Sequence, residues 1–166
     1  MSTRTQNKGF TLTEVIATTA IVAILTSVAL PNYTRSVCKS DLAEAISELT
    51  MLQTAAMSYR DEYGNSPDTW DQINTLMPIQ TLTNPNSDNP TKTVATGAIT
   101  EGQRLRSNKY DITGETNGDV VDFNAEPKQG CENHDAKVCI NTQSGKSDLT
   151  KGNGTTTGKA SKPSCT

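Results

Sequence analysis

Apolar residues are concentrated in one run near the start of the chain. The run from Phe10 to Pro31 spans 22 residues, of which Glu14 is the only charged one. As an α-helix this run would extend about 33 Å, at 1.5 Å per residue, which is enough to cross a bilayer. The pattern therefore predicts a membrane-spanning helix over residues 10–31, with one acid near its beginning that needs a compensating partner.

After Pro31 the pattern becomes amphipathic. Apolar residues recur at alternating intervals of three and four, which indicates one buried helix face. Gly64-Asn65 and Pro67 supply a stop signal. We expect residues 32–63 to continue the first helix, to pack against a sheet, and to follow a helix break or kink at Pro31. The stripe consists of Leu42, Ala45, Leu49, Leu52, Ala56, Tyr59 and Tyr63.

The rest of the chain is polar and rich in turn residues. Residues 64–108 are predicted to be a variable surface loop with one short helical turn that begins at Trp70. Residues 109–143 hold three strand candidates: Tyr110–Gly114, Asp119–Asn124 and Ala136–Thr142, the first two joined through a hairpin. Residues 144–166 are predicted to be an extended or mobile Gly/Ser/Thr/Lys-rich tail. The expected fold is α+β, a long helix against an antiparallel sheet of three or four strands.

Four cysteines lie outside the apolar run, at Cys38, Cys131, Cys139 and Cys165. An even number in an exported chain favours two disulfides, and three pairings are possible. We expect Cys131–Cys139, which would close a short loop, and then Cys38–Cys165. A zinc site is disfavoured, because the spacing Cys131-x2-His134-x4-Cys139 matches no common structural pattern.

The composition points to no enzyme active site. His134 is the only histidine, expected in an exposed loop, and no set of nucleophile, base and metal ligands is evident. We therefore predict no catalytic residue, no cofactor and no metal. An acidic cluster around residues 111–122 leaves calcium open as an alternative, although it does not match a calcium loop. The net charge of −3 gives no evidence of a nucleic-acid-binding surface.

The leader is arranged differently from an ordinary secretory signal. Residues 1–9 carry Arg4 and Lys8, and the candidate cleavage point between Gly9 and Phe10 precedes the apolar run. An ordinary signal is cut after its apolar core and loses it. Cleavage at Gly9 would instead leave the anchor on the mature protein. The basic leader favours a cytoplasmic N-terminus.

The stretch Lys8-Gly9-Phe10-Thr11-Leu12-Thr13-Glu14 resembles the class III signal of type IV prepilins and the related pseudopilins. Pro31 and Tyr33 also match residues that many type IV pilins carry. The resemblance implies a pilin fold, cleavage after Gly9 by a prepilin peptidase, and N-methylation of Phe10 by the same enzyme. It further implies that Glu14 pairs with the Phe10 amine of a neighbouring subunit. The alternative role for Glu14 is local, at its own helix N-terminus.

The function implied is that of a structural subunit of an extracellular type IV pilus, held in the cytoplasmic membrane by residues 10–31 before assembly. The implied partners are other copies of the chain in a helical homopolymer, the peptidase, the assembly platform and minor pilins. Two alternatives remain open at this stage. One is a major pseudopilin of a type II secretion system, which the cysteines disfavour. The other is a minor pilin with a role in adhesion or DNA uptake.

Overall fold

A computed structural model of the protein describes residues 9–128 and 130–166. The chain divides into two units between Val37 and Cys38. One long helix, α1, spans Leu12–Tyr63 and belongs to both units, so its N-terminal and C-terminal halves are described separately. α1 continues through Pro31, so the helix is not broken there, and the predicted kink at this residue stays a prediction. Melting of this turn in an assembled filament stays a prediction.

The C-terminal end of α1 shows why the predicted stop signal works. Gly64 adopts a φ of 80°, in the left-handed region that favours glycine, and its N–H donates to the Arg60 carbonyl over 2.8 Å. A short helix, α2 (Trp70–Asn74), follows. Thr69 caps α2 by accepting a hydrogen bond from the Gln72 N–H over 3.3 Å, and the Gln72 side chain accepts one from the Thr69 N–H.

Seven strands form two antiparallel sheets in the second unit. A two-stranded sheet pairs β1 with β2, and a five-stranded sheet has the order β3-β4-β5-β6-β7. The predicted count of three or four strands in the main sheet was therefore too low. Their bounds are β1 Gln80–Thr83, β2 Thr91–Val94, β3 Gln103–Arg104, β4 Tyr110–Asn117, β5 Val120–Pro127, β6 Ala136–Asn141 and β7 Ser147–Lys151.

Two regions expected to lack regular structure contain strands. The region 64–108 holds α2 and β1 to β3, and the region 144–166 begins with β7, which pairs with β6. These short strands have little apolar patterning, so their sequences give a weak strand signal. β3 and β7 extend the ladder built by β4, β5 and β6, whereas β1 and β2 pair with each other in a separate sheet. After Lys151 the chain has no further helix or strand within its described residues.

The core lies between the second half of α1 and one face of the five-stranded sheet. Six of the seven predicted stripe residues are buried, but Tyr63 is 50% exposed and stacks on Tyr59 at 4.5 Å between ring centroids. Alternate residues of β4, β5 and β6 face this core, as the period of a strand requires. The strand residues buried in the core are Tyr110, Ile112, Val121, Phe123, Ala125, Ala136, Val138 and Ile140.

The two disulfides are Cys38–Cys131 and Cys139–Cys165, so the predicted pairing was wrong. The reason is the alternation of β6. Val138 and Ile140 face the core, which places Cys139 on the opposite face of the sheet, where the C-terminal segment crosses. Cys131 precedes β6 and lies next to α1, with a Cα–Cα distance of 5.3 Å to Cys38. The two cysteines closest in sequence are thus on different sides of the sheet.

Candidate functional site

The first half of α1 exposes its apolar side chains. Every residue from Gly9 to Ser36 is exposed, and Phe10 and Leu25 retain 86% and 65% of their accessible surface. Its most apolar 18-residue window has a mean hydropathy of 1.9. By length and composition, α1 is the one helix in the described chain that could cross a membrane. Soluble proteins rarely expose a continuous apolar surface of this size without a partner or a lipid phase.

The hydroxyl residues of this segment are compatible with an apolar surrounding. Four of their hydroxyl groups donate to a carbonyl oxygen of the preceding helical turn, so these polar hydrogens are satisfied within the helix. The donors and their acceptors are Thr18 to Val15 (2.9 Å), Thr19 to Ile16 (3.0 Å), Thr26 to Val22 (2.7 Å) and Ser27 to Ile24 (2.7 Å). These residues therefore dilute the hydropathy of the segment without adding an unsatisfied polar group.

Glu14 forms a capping box with Thr11. The Thr11 N–H and hydroxyl each donate to Oε2 of Glu14 over 2.8 Å, and the Glu14 N–H donates to the Thr11 hydroxyl oxygen over 3.3 Å. These bonds satisfy two donors at the start of α1 that have no partner within the helix. Within residues 9–128 and 130–166, the other carboxylate oxygen of Glu14 accepts no hydrogen bond.

The structure brings three of the predicted site residues together. Gly9 and Phe10 are exposed and non-helical, and they directly precede the capped turn that holds Glu14. A side chain at Gly9 would meet no atom within 4 Å, so local packing does not require glycine there. Residues 1–8, including the leader charges at Arg4 and Lys8, lie outside the described residues. Cleavage after Gly9, methylation of Phe10 and intersubunit pairing of Glu14 stay predictions.

Thr11 is the functional residue that the sequence analysis did not single out. It supplies the capping hydroxyl, but neither the apolar stripe nor the hydropathy pattern points to it. A signal for it was present, because Thr11-Leu12-Thr13-Glu14 has the spacing of a capping box immediately before an apolar run. The local role considered for Glu14 is therefore realised in the isolated chain.

The weaker candidate sites do not form metal centres. Cys131 and Cys139 belong to different disulfides, and Asp111 and Asp119 are paired with Arg104 and Arg60. In the described part of the chain no group of three or more His, Cys, Asp and Glu side chains is placed to hold a metal.

His134 is not an exposed loop residue as expected. It is only 9% exposed, because its ring lies against Gly154 of the C-terminal segment. A Cβ added to Gly154 would come within 2.1 Å of the His134 ring, so this close approach needs glycine. The His134 carbonyl also accepts a 2.8 Å hydrogen bond from the Tyr110 hydroxyl. The histidine is thus part of the packing that fastens the C-terminal segment.

Comparison with known proteins identifies the N-terminal region. Residues 4–30 match the family model described as the prokaryotic N-terminal methylation motif. Two fimbrial proteins of Pseudomonas aeruginosa are each 41% identical over 51 residues, 31% of this chain and 33% of the relative. The type IV major pilin protein PilA of Myxococcus xanthus (strain DK1622) is 39% identical over 57 residues, 34% of this chain and 26% of the relative.

The similarity is confined to part of each protein. The chain matches about a third of the length of the fimbrial proteins and about a quarter of PilA. No solved structure matches the chain. The motif match, the relatives and the capped apolar helix beginning beside Gly9 and Phe10 agree with one another. On this evidence the chain carries the N-terminal methylation motif and is similar, over about a third of its length, to fimbrial proteins and a type IV major pilin.

Proposed function

We propose that the protein is a structural subunit of an extracellular type IV pilus filament. The observation that carries this proposal is the fully exposed apolar half of α1, with a single acid at its start. This surface needs two successive coverings. Lipid covers it while the precursor is anchored in the cytoplasmic membrane through residues 10–31, and the helices of neighbouring subunits cover it in the filament.

Processing would prepare the start of this helix for assembly. A prepilin peptidase would remove residues 1–9 and methylate the new α-amino group of Phe10. Burying the positive charge of that amine in an apolar filament interior is unfavourable unless an anion lies beside it. Glu14 of a neighbouring subunit supplies the anion, and its free carboxylate oxygen supports this role because the cap uses only Oε2.

The second unit would form the filament surface. Its own core, from the second half of α1 and the sheet, is complete without a membrane. Beyond the filament homopolymer, the proposed partners are the peptidase, the assembly platform and minor pilins. The Myxococcus relative, a major pilin by name, and the two disulfides together favour a filament-forming pilin over a type II secretion pseudopilin or a minor pilin.

Mass spectrometry of filaments sheared from the source cells tests the proposal. We expect an abundant chain that starts at methylated Phe10 and is four mass units lighter than its reduced form, since two disulfides lack four hydrogens. The same chain found only in membrane and periplasmic fractions would favour a pseudopilin. A chain present in filaments at a few copies would favour a minor pilin. A chain that still carries residues 1–9 in the filament would overturn the processing scheme.

A further inference from the structure

A cationic cavity lies at the end of the β4–β5 ribbon. It has a volume of about 370 Å³ and is lined by Pro85, Asn86, Asn108, Lys109 and Lys128, which together we call the lysine notch. Asn86 comes from the loop between β1 and β2, Asn108 and Lys109 from the turn that leads into β4, and Lys128 from the residue after β5. The notch thus joins three chain segments of the second unit.

The two lysines lie opposite each other at the end of the β4–β5 pair, which places two like charges on neighbouring strands. β4 pairs with β5 through Tyr110 and Pro127, and one step further the Lys128 N–H donates to the Lys109 carbonyl over 2.9 Å. Like charges directly across an antiparallel pair destabilise it. Lys109 has only a 3.9 Å ion pair with Asp41, and Lys128 makes no salt bridge to the described residues. A bound anion would relieve this repulsion.

The asparagine amides of the notch are oriented as donors. Oδ1 of Asn86 accepts a hydrogen bond from the Lys128 ammonium, and Oδ1 of Asn108 accepts one from the Arg104 guanidinium over 3.1 Å. With both carbonyl oxygens held by cations, the two NH2 groups remain, and neither has a partner in the described part of the chain. No carboxylate is among the five lining residues.

The notch therefore presents two ammonium groups and two amide donors. This set complements a compact anion with several acceptor oxygens and more than one charge, which is the chemistry of a phosphate group. A long polyanion fits less well, because the whole chain carries a net charge of −3 and would repel the rest of it. We propose that the lysine notch binds the phosphate group of a phosphate monoester or of free phosphate. This inference does not depend on filament formation.

The test is a titration of the full chain, purified in detergent micelles, with inorganic phosphate at constant ionic strength. Trp70, the single tryptophan, is fully buried and reports unfolding, so ligand binding appears as a rise in the unfolding temperature. The double variant Lys109→Gln/Lys128→Gln should bind phosphate at least tenfold more weakly. The matched control Lys92→Gln/Lys151→Gln, at exposed strand positions, should stay within twofold of wild type.

A second variant tests the asparagine without removing a cation. Asn108→Asp keeps an oxygen for Arg104 but replaces the amide donor by an anion, and it should also weaken binding at least tenfold. Glycerol 3-phosphate binding as tightly as inorganic phosphate would identify an ester headgroup as the ligand, and weaker binding would identify free phosphate. The proposal is overturned if wild type shows no saturable phosphate binding, or if either notch variant binds phosphate like wild type. Equal weakening in the control variant would also overturn it. Tighter binding of an oligonucleotide than of both small probes would overturn it as well.

Discussion

The two halves of α1 both carry apolar side chains but have opposite surroundings. Leu25 in the first half is 65% exposed, whereas Leu49 in the second half is fully buried against the sheet. Four hydroxyl groups of the first half bond to its own backbone, and its one acid lies in a cap. The second half turns its apolar stripe inward, and Arg60, off that stripe, forms an ion pair with Asp119. One continuous helix thus combines an exposed apolar half with a half that packs against the sheet.

The two halves of α1 also differ in what stabilises them. The second half is held by its own core and by a disulfide at its first residue, Cys38, so it can be tested by unfolding. The first half has no buried side chain in the described structure. Under the proposed function, it contributes to stability only when lipid or neighbouring subunits cover its apolar residues. Changes in the first half should therefore alter assembly and leave unfolding unchanged, and changes in the second half should do the reverse.

The largest expected effect is on assembly, from Glu14→Ala. Leaving the Phe10 amine unpaired in an apolar filament interior costs several kcal/mol, so filament incorporation should fall at least about 100-fold. Membrane insertion should not be reduced, because one fewer charge favours the bilayer. Immunoblots of sheared filaments and of membrane fractions measure the two quantities.

Thr11→Ala is the matched control for this prediction. It removes the capping hydroxyl and keeps the acid, and loss of a cap costs about 1 kcal/mol. Filament yield should therefore fall far less than in Glu14→Ala. Equal losses in the two variants would assign Glu14 to its own helix and remove the argument for intersubunit pairing.

The second prediction concerns the disulfides of the second unit. Cys38–Cys131 closes 93 residues and Cys139–Cys165 closes 26. Chain entropy then predicts losses of about 4.6 and about 3.5 kcal/mol when each bond is removed by paired Cys→Ser substitution. Urea unfolding of the chain in micelles, followed by Trp70 fluorescence, measures both. A larger loss for the shorter loop would show that contacts made by the C-terminal segment outweigh chain entropy.

The third prediction uses one residue type in both halves of the helix. Leu49→Ala opens a cavity in the core and should lower the free energy of unfolding by about 2–5 kcal/mol. Leu25→Ala lies outside that core and should change it by less than about 0.5 kcal/mol. The same Trp70 unfolding assay in micelles compares them. Similar losses would mean that the two halves unfold as one unit.

Features with a strong periodic or motif signal could be predicted from the sequence. The helix, its stop at Gly64 and six stripe residues follow from an unambiguous apolar repeat. The strands β4, β5 and β6 follow from alternation and a hairpin signal. The segment that holds Gly9, Phe10 and Glu14 is recognisable because the motif lies in one short stretch of sequence and does not depend on tertiary structure.

Features that depend on which face of a sheet a residue occupies were not predictable in the same way. The disulfide pairing was wrong because proximity in sequence was given more weight than the alternation that separates Cys139 from Cys131. The edge strand β7 was missed because its sequence is almost entirely polar, and the burial of His134 was missed because it depends on the approach of Gly154 from the C-terminal segment. Such contacts leave no local pattern.

The smallest expected effect belongs to Tyr110, whose buried hydroxyl donates to the His134 carbonyl over 2.8 Å. Burial, with the charges of Asp41 and Asp135, raises the pKa of Tyr110 to about 12 from its ordinary value of 10. The folded state thus favours the neutral phenol. Its contribution to stability is complete below about pH 10 and is lost as the pH rises towards 12, by roughly 3 kcal/mol at most.

Tyr110→Phe should therefore behave differently on the two sides of pH 10. At pH 7 it should be less stable than wild type by about 1–3 kcal/mol, because the His134 carbonyl loses its buried donor. Above pH 10 this difference should shrink, since only wild type has a phenol to ionise at that position. Lysine deprotonation affects both chains equally and cancels in the difference. Tyr63→Phe, at a half-exposed ring, should show neither effect. Parallel stability curves for wild type and Tyr110→Phe from pH 7 to 12 would show that folding does not raise the pKa of Tyr110.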